Sequence, residues 1–124
     1  MPLDGFQLLP GQIVRAEVQY SDSEGTKSRF PVVVSCAEFN RENPEVIVAF
    51  TTSRPIRQPR EYDVHVSTRH PKFSLTGLTK DTTVRCGRLW TIDKRKISDV
   101  IGCMPKDLLV DIERLVRACF SRPS

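Results

Sequence analysis

The sequence predicts a mainly β protein, a small barrel or rolled sheet closed by a single C-terminal helix. Three observations lead there. Five or so short apolar stretches lie between residues 11 and 92, most with an apolar residue at every second position. That period puts side chains on one face of a strand. The connections are polar and broken by proline and glycine. Only the stretch after Pro105 shows the i, i+3, i+4, i+7 spacing of an amphipathic helix.

The first strand covers residues 11–20, GQIVRAEVQY, where Val14, Ala16, Val18 and Tyr20 alternate with Arg15, Glu17 and Gln19. A long polar loop, SDSEGTKSRF, follows; loops of this length held by a fold often carry function. Residues 31–37, PVVVSCA, form a continuous apolar run, as expected of a strand buried on both faces. After the polar turn AEFNRENP, residues 45–52 give a third strand ending in the hydroxyl cluster Thr51, Thr52 and Ser53. The middle, residues 53–74, is proline-rich and basic, with Arg54, Arg57, Arg60, Arg69 and Lys72 outnumbering Glu61 and Asp63. Within it EYDVHVS alternates again, Tyr62, Val64 and Val66 inward and Glu61, Asp63 and His65 outward, and its prolines suit an edge strand.

Residues 77–93, GLTKDTTVRCGRLWTID, read as turn, strand and turn. Gly77 can take a positive φ, and Asp81 favours a turn start. Thr83, Arg85, Gly87, Leu89 and Thr91 are expected on one face and Val84, Cys86, Trp90 and Ile92 on the other, with Arg88 out of pattern. Trp90 is expected in the core or at a dimer contact. The run Lys94, Arg95, Lys96 is expected in a solvated turn that can also meet phosphate. Pro105 suits the start of a helix over about 105–121, with Leu108, Leu109, Ile112, Leu115, Val116, Cys119 and Phe120 on its apolar face. Asp107 and Asp111 early, and Arg117 and Arg122 late, complement its dipole.

The length, 124 residues, fits a single domain over 1–124 with one core. A hydrophobic share of 39% with 27% charged residues excludes a disordered chain. No apolar run approaches the roughly 20 residues a membrane-spanning helix needs. The start, MPLDGFQLLPG, lacks the basic and apolar regions of a signal peptide, so a cytoplasmic protein without a membrane partner is expected. Cys36, Cys86, Cys103 and Cys119 are widely spaced with no CxxC pair, which argues against a metal site, and no cofactor is expected. Three of them lie in apolar runs, so buried free thiols in a reducing compartment are expected. A net charge of +4 permits a polyanionic partner.

Four blocks, in order, resemble the MazF/PemK (Kid-type) toxin family. GQIV resembles its opening G-[DE]-I-[VW], FPVVVS its R-P-x-[LV]-[VI]-[LV]-[ST], and VIVAFTTS its V-V-x-x-x-[TV]-[TS]-S. GL-x-K-D and VRC-x-x-x-x-TID, with KR after them, are similar to its third signature block. The likeness runs from about residue 11 to 120. It implies an SH3-like β-barrel over about 11–102 with the C-terminal helix added, usually as a homodimer. It also implies metal-independent, sequence-specific cleavage of single-stranded mRNA, and an antitoxin whose flexible acidic tail covers the RNA groove. Two other readings stay open. One is the same barrel kept as an RNA- or protein-binding module after loss of catalysis; the other is a CcdB-type toxin acting on DNA gyrase.

Cleavage by the neighbouring 2′-hydroxyl needs a base, an acid for the leaving 5′-oxygen, and positive donors around the phosphorane-like transition state. Arginine suits the last role because its planar fork pairs with phosphate oxygens and keeps its charge. Thr52, Ser53 and Arg85 stand on positions that match the family's functional residues. Two departures are visible. Phe30-Pro31 replaces the usual Arg-Pro, with Arg29 one residue earlier, and one residue on a strand is a change of face unless the chain bulges. Gly87 stands where Kid-type members have an aspartate. The candidates are therefore Arg29, Thr52 and Arg85 for catalysis, and Ser53, Lys27, Arg54, Arg57 and Arg88 for RNA binding. His65 and His70 have the side chain suited to acid–base catalysis but match no family catalytic position.

Overall fold

The computed structural model describes residues 7–18, 27–55 and 61–121, with the backbone alone at 27 and 28. Among them are seven strands: β1 (Gln12–Val18), β2 (Lys27–Arg29), β3 (Val32–Val33), β4 (Glu45–Thr52), β5 (Asp63–Val66), β6 (Thr82–Asp93) and β7 (Ile97–Cys103). Two helices, α1 (Ala37–Glu42) and α2 (Lys106–Ala118), and 3-10 turns at Phe73–Thr76 and Lys94–Lys96 complete the described elements. The strands form one antiparallel sheet in the order β2-β1-β3-β4-β6-β5, with β7 on β1 as well. The fold is the expected mainly β one with a C-terminal helix, but the sheet is not closed into a barrel. β5 pairs over four residues only, and Pro55 and Pro71 beyond its ends carry no N–H to extend a ladder, so it stays an edge.

β2 and β3 continue one line along β1. Ala16 faces Arg29 and Ile13 faces Val32, three steps apart on both strands, so the register does not slip across Phe30 and Pro31. Val32 and Val33 are both fully buried, one in each of two core clusters, which puts the clusters on opposite faces of the sheet. The first holds Ile13, Val32, Ala49, Val64, Val66, Val84 and Cys86, and is covered by Ile112 and Leu115 of α2. The second holds Val14, Ala16, Val18, Val33, Val46, Val48, Ile92 and Ile97, with Trp90 against it.

The apolar run at 31–37 is thus buried on both faces at Val32 and Val33, as expected, but only these two residues are strand and Cys36 is exposed. The segment AEFNRENP, expected as a polar turn, contains helix α1 instead, held by a polar knot. The Ser35 hydroxyl donates to Asn40 Oδ1, and the buried Asn40 amide donates to the carbonyls of Leu8 (2.7 Å) and Ser35 (3.0 Å). Satisfied this way, a buried amide costs little and fixes the helix on the sheet.

β6 departs from the expected single alternation. Its partners on β4 jump from Phe50 opposite Arg85 to Ala49 opposite Leu89, so Cys86, Gly87 and Arg88 form a bulge. Val84 and Cys86 enter the α2-side cluster, whereas Trp90 and Ile92 lie with the other. The bulge turns the second half of the strand over. Trp90 packs on Phe50, ring centroids 4.6 Å apart.

The cysteines also differ from expectation. All four are free, but only Cys86 is buried, and burial pushes its thiol up to about 12. Cys119 and Phe120 fall beyond the end of α2 and are exposed, so the helical apolar face stops at Val116. The basic turn is capped by Asp93, whose carboxylate accepts from the Arg95 backbone N–H (2.8 Å) and guanidinium (2.9 Å).

Candidate functional site

The register places a polar constellation at one end of the sheet. On β6, Arg85 lies opposite Phe50 of β4 and Asp63 of β5; Thr83 lies opposite Thr52 and His65. Residues directly opposite in a sheet share a face, so Thr52, Asp63, His65, Thr83 and Arg85 all lie on the face away from α2. Arg29, opposite Ala16, is on that face too. The sequence candidates Arg29, Thr52 and Arg85 therefore share one face, while Phe30 turns to the other. The bulge that would have let Arg29 take the place of Phe30 is absent.

Arg85 is not presented freely to solvent. Its side chain is 18% exposed, and its Nε sits 3.5 Å from Oδ1 of Asp63, itself 8% exposed. Asp63 brings back a carboxylate that Gly87 does not supply. A Cβ at Gly87 would meet Tyr62 at 3.8 Å and Cys119 at 3.9 Å, ordinary contacts, so packing does not require glycine there. Asp63, His65 and Thr83 line a cavity of about 400 Å³ together with Ser53, Arg54 and Asp81. The Thr68 backbone N–H donates to Asp81 at 2.7 Å and holds its carboxyl below the ordinary carboxylate range.

Thr52 closes the strand locally: its hydroxyl accepts the Arg54 backbone N–H at 3.2 Å. Ser53 and Arg54, one step on, are exposed at the cavity mouth. Arg88 is exposed on the bulge and does not belong to the constellation. Lys27 lies in β2, where only its backbone is described, and Arg57 lies outside the described residues. His70 is spent elsewhere, pairing through Nε2 with Asp107 at the start of α2 at 3.0 Å. Asp63 and Thr83 of this constellation were not among the sequence candidates, and His65 was set aside because it matches no family catalytic position. The alternation in EYDVHVS was the available signal, but it needs the pairing of β5 with β6 to gain meaning.

A sequence profile of the PemK-like, MazF-like toxins of type II toxin–antitoxin systems matches residues 9–120, and the chain belongs to that family. Solved structures share the fold. An endoribonuclease in complex with its cognate antitoxin from a mycobacterial species is 19% identical with a TM-score of 0.72, covering 94% of this chain and 97% of that one. The Mycobacterium tuberculosis toxin MazF-mt6 is 17% identical with a TM-score of 0.68, covering 88% and 95% respectively. MazF in a MazE-MazF structure from Deinococcus radiodurans is 18% identical with a TM-score of 0.68, covering 91% and 95%. Comparison with curated protein sequences finds no significant match.

Proposed function

We propose that the protein is the toxin of a toxin–antitoxin pair and cleaves single-stranded mRNA at defined sequences by attack of the 2′-hydroxyl on the adjacent phosphate. The observation that carries this is the grouping of Arg85, Asp63, His65, Thr83 and Thr52 on one face, with Asp63, His65 and Thr83 lining one cavity. The 2′-hydroxyl loses its proton to a base as its oxygen bonds to phosphorus. The P–O5′ bond breaks, and the leaving oxygen takes a proton. Arg85 and Arg29 neutralise the charge that builds on the phosphate, and Thr52 and Ser53 donate to its oxygens. His65, on the cavity wall, moves the protons. Arg54, Arg57, Arg88 and Lys27 hold the flanking backbone. The chemistry needs no metal.

The partners are single-stranded RNA and an antitoxin with an acidic segment, in keeping with the cognate antitoxins that accompany structural relatives. The protein acts as a homodimer, so light scattering should give twice the 14.1 kDa chain mass. The deciding experiment incubates purified protein with a long RNA in EDTA and maps the ends. A 2′,3′-cyclic phosphate and a 5′-hydroxyl are expected; 5′-phosphates, or inhibition by EDTA, rule the mechanism out. Intact RNA with gyrase inhibition would favour the CcdB-type alternative.

A further inference from the structure

The replacement of the Arg-Pro arginine by Phe30 has a structural counterpart on the other face of the sheet end. The unbroken register sets Phe30 opposite Arg15, and the Arg15 guanidinium lies over the Phe30 ring, 5.8 Å from its centroid. Phe30 is 36% exposed, so part of its ring is open to solvent. Its backbone is held firmly: the Thr51 hydroxyl donates to the Phe30 carbonyl at 2.9 Å, and the Val14 N–H to the Pro31 carbonyl at 3.1 Å. Arg15 and Phe30 form one wall of a cavity of about 340 Å³, whose other walls include Ser53, Thr79, Lys80 and Thr82. Among the described residues, no ion pair engages Arg15 or Lys80.

This cavity adjoins the catalytic one. Ser53 lines both, and the turn between them alternates, Lys80 and Thr82 facing one side and Asp81 and Thr83 the other. A rigid aromatic ring, a stacked guanidinium, an unpaired ammonium and three hydroxyls are the fittings of a single-strand nucleotide site. Bases stack on aromatic and guanidinium planes, and the cation meets the phosphate.

We infer that the Phe30–Arg15 shelf binds one nucleobase of the single-stranded RNA, the one that lies across Ser53 from the scissile phosphate. The inference rests on the ribonuclease reading for its substrate, and extends it with a specificity subsite in which Lys80 holds the phosphate of the stacked nucleotide. Phe30 in place of arginine thus exchanges a charge near the cut for a stacking plane.

The test uses the full chain and a fluorescently labelled single-stranded oligoribonucleotide, carrying the cut site mapped in EDTA or, where no cut is found, a mixed sequence. Anisotropy gives affinity, and cleavage gives KM and kcat. Phe30→Ala should weaken binding roughly five- to a hundred-fold, the range for loss of one base stack, with most of the effect in KM. Phe30→Tyr, which keeps the plane, should behave as the wild type does. An abasic residue next to the cut should weaken wild-type binding by a similar factor and leave Phe30→Ala unaffected. Unchanged affinity in Phe30→Ala, or an equal abasic penalty in both proteins, overturns the subsite. Thermal melts of both variants check that an exposed residue has been changed without unfolding. Wild-type protein that binds the oligonucleotide but never cuts it would overturn the ribonuclease reading, while the anisotropy series still decides the shelf. Wild-type protein that does not bind RNA overturns both.

Discussion

Arg85 Nε lies 3.5 Å from Asp63 Oδ1 across directly opposed positions of β6 and β5, and both side chains are largely withdrawn from water. That pairing ties the positive group of the site to the stability of the edge strand. Arg85→Ala should lower cleavage roughly a hundred- to thousand-fold, the usual loss for one donor to a developing charge. It should also lower stability by about 1–3 kcal/mol, because a poorly hydrated carboxylate loses a charged neighbour. Adding Asp63→Asn should restore part of the melting temperature and none of the cleavage. Arg85→Lys keeps the charge without the planar fork and should recover only partly. Full activity in Arg85→Ala would remove the residue from the site.

His65 is exposed on β5 opposite Thr83. His65→Gln should reduce cleavage by about a hundred- to ten-thousand-fold and remove one limb of the pH–rate profile. Thermal stability should hardly change, since the ring is not part of the core. A variant with the wild-type pH profile would leave proton transfer to another group.

Gly77 sits at φ +71°, and a Cβ there would lie 2.2 Å from the Ile101 carbonyl oxygen. Gly77→Ala should therefore cost about 2–4 kcal/mol, combining left-handed backbone strain with overpacking against β7. Because Gly77 and Ile101 line the Phe30 cavity, RNA affinity should fall with it. Denaturant unfolding measures the first effect; a midpoint like that of the wild type would show that the turn gives way easily.

Hydrogen bonds from Arg95 hold the Asp93 carboxyl down at about 2, against an ordinary 3.8. A carboxyl with a lower folded than unfolded pKa binds fewer protons when folded. Its stabilisation is complete above about pH 4 and lost as the pH falls through about 2. Asp93→Asn keeps the capping oxygen without the charge. The acid limb of its melting curve between pH 4 and pH 2 should be shallower than that of the wild type; identical limbs would show that the cap contributes nothing through its charge.

Local pattern was enough to set much of this protein. The alternation in residues 12–18 is visible in the sequence because burying one face of a strand imposes period two on it, while β4, buried on both faces, shows as a continuous apolar run. The seam of α2 is visible for the same reason at the helical period, with Ile112 and Leu115 buried where the spacing puts them. The four ordered blocks carried the family.

What the sequence alone could not decide was everything that depends on which strand lies beside which. The bulge at Cys86, Gly87 and Arg88 turns Trp90 away from Cys86's face, although the residue pattern runs on without a break. A bulge is set by the mismatch between two paired strands, and a single strand does not record its partner. The pairing of Arg85 with Asp63 joins residues 22 apart in the chain, and only the β5–β6 register brings them together. The same holds for Arg15 and Phe30, which meet because β1 and the β2–β3 line are in register. Side-chain chemistry is written residue by residue, but a site is made by contacts between distant residues, and those are fixed only when the sheet assembles.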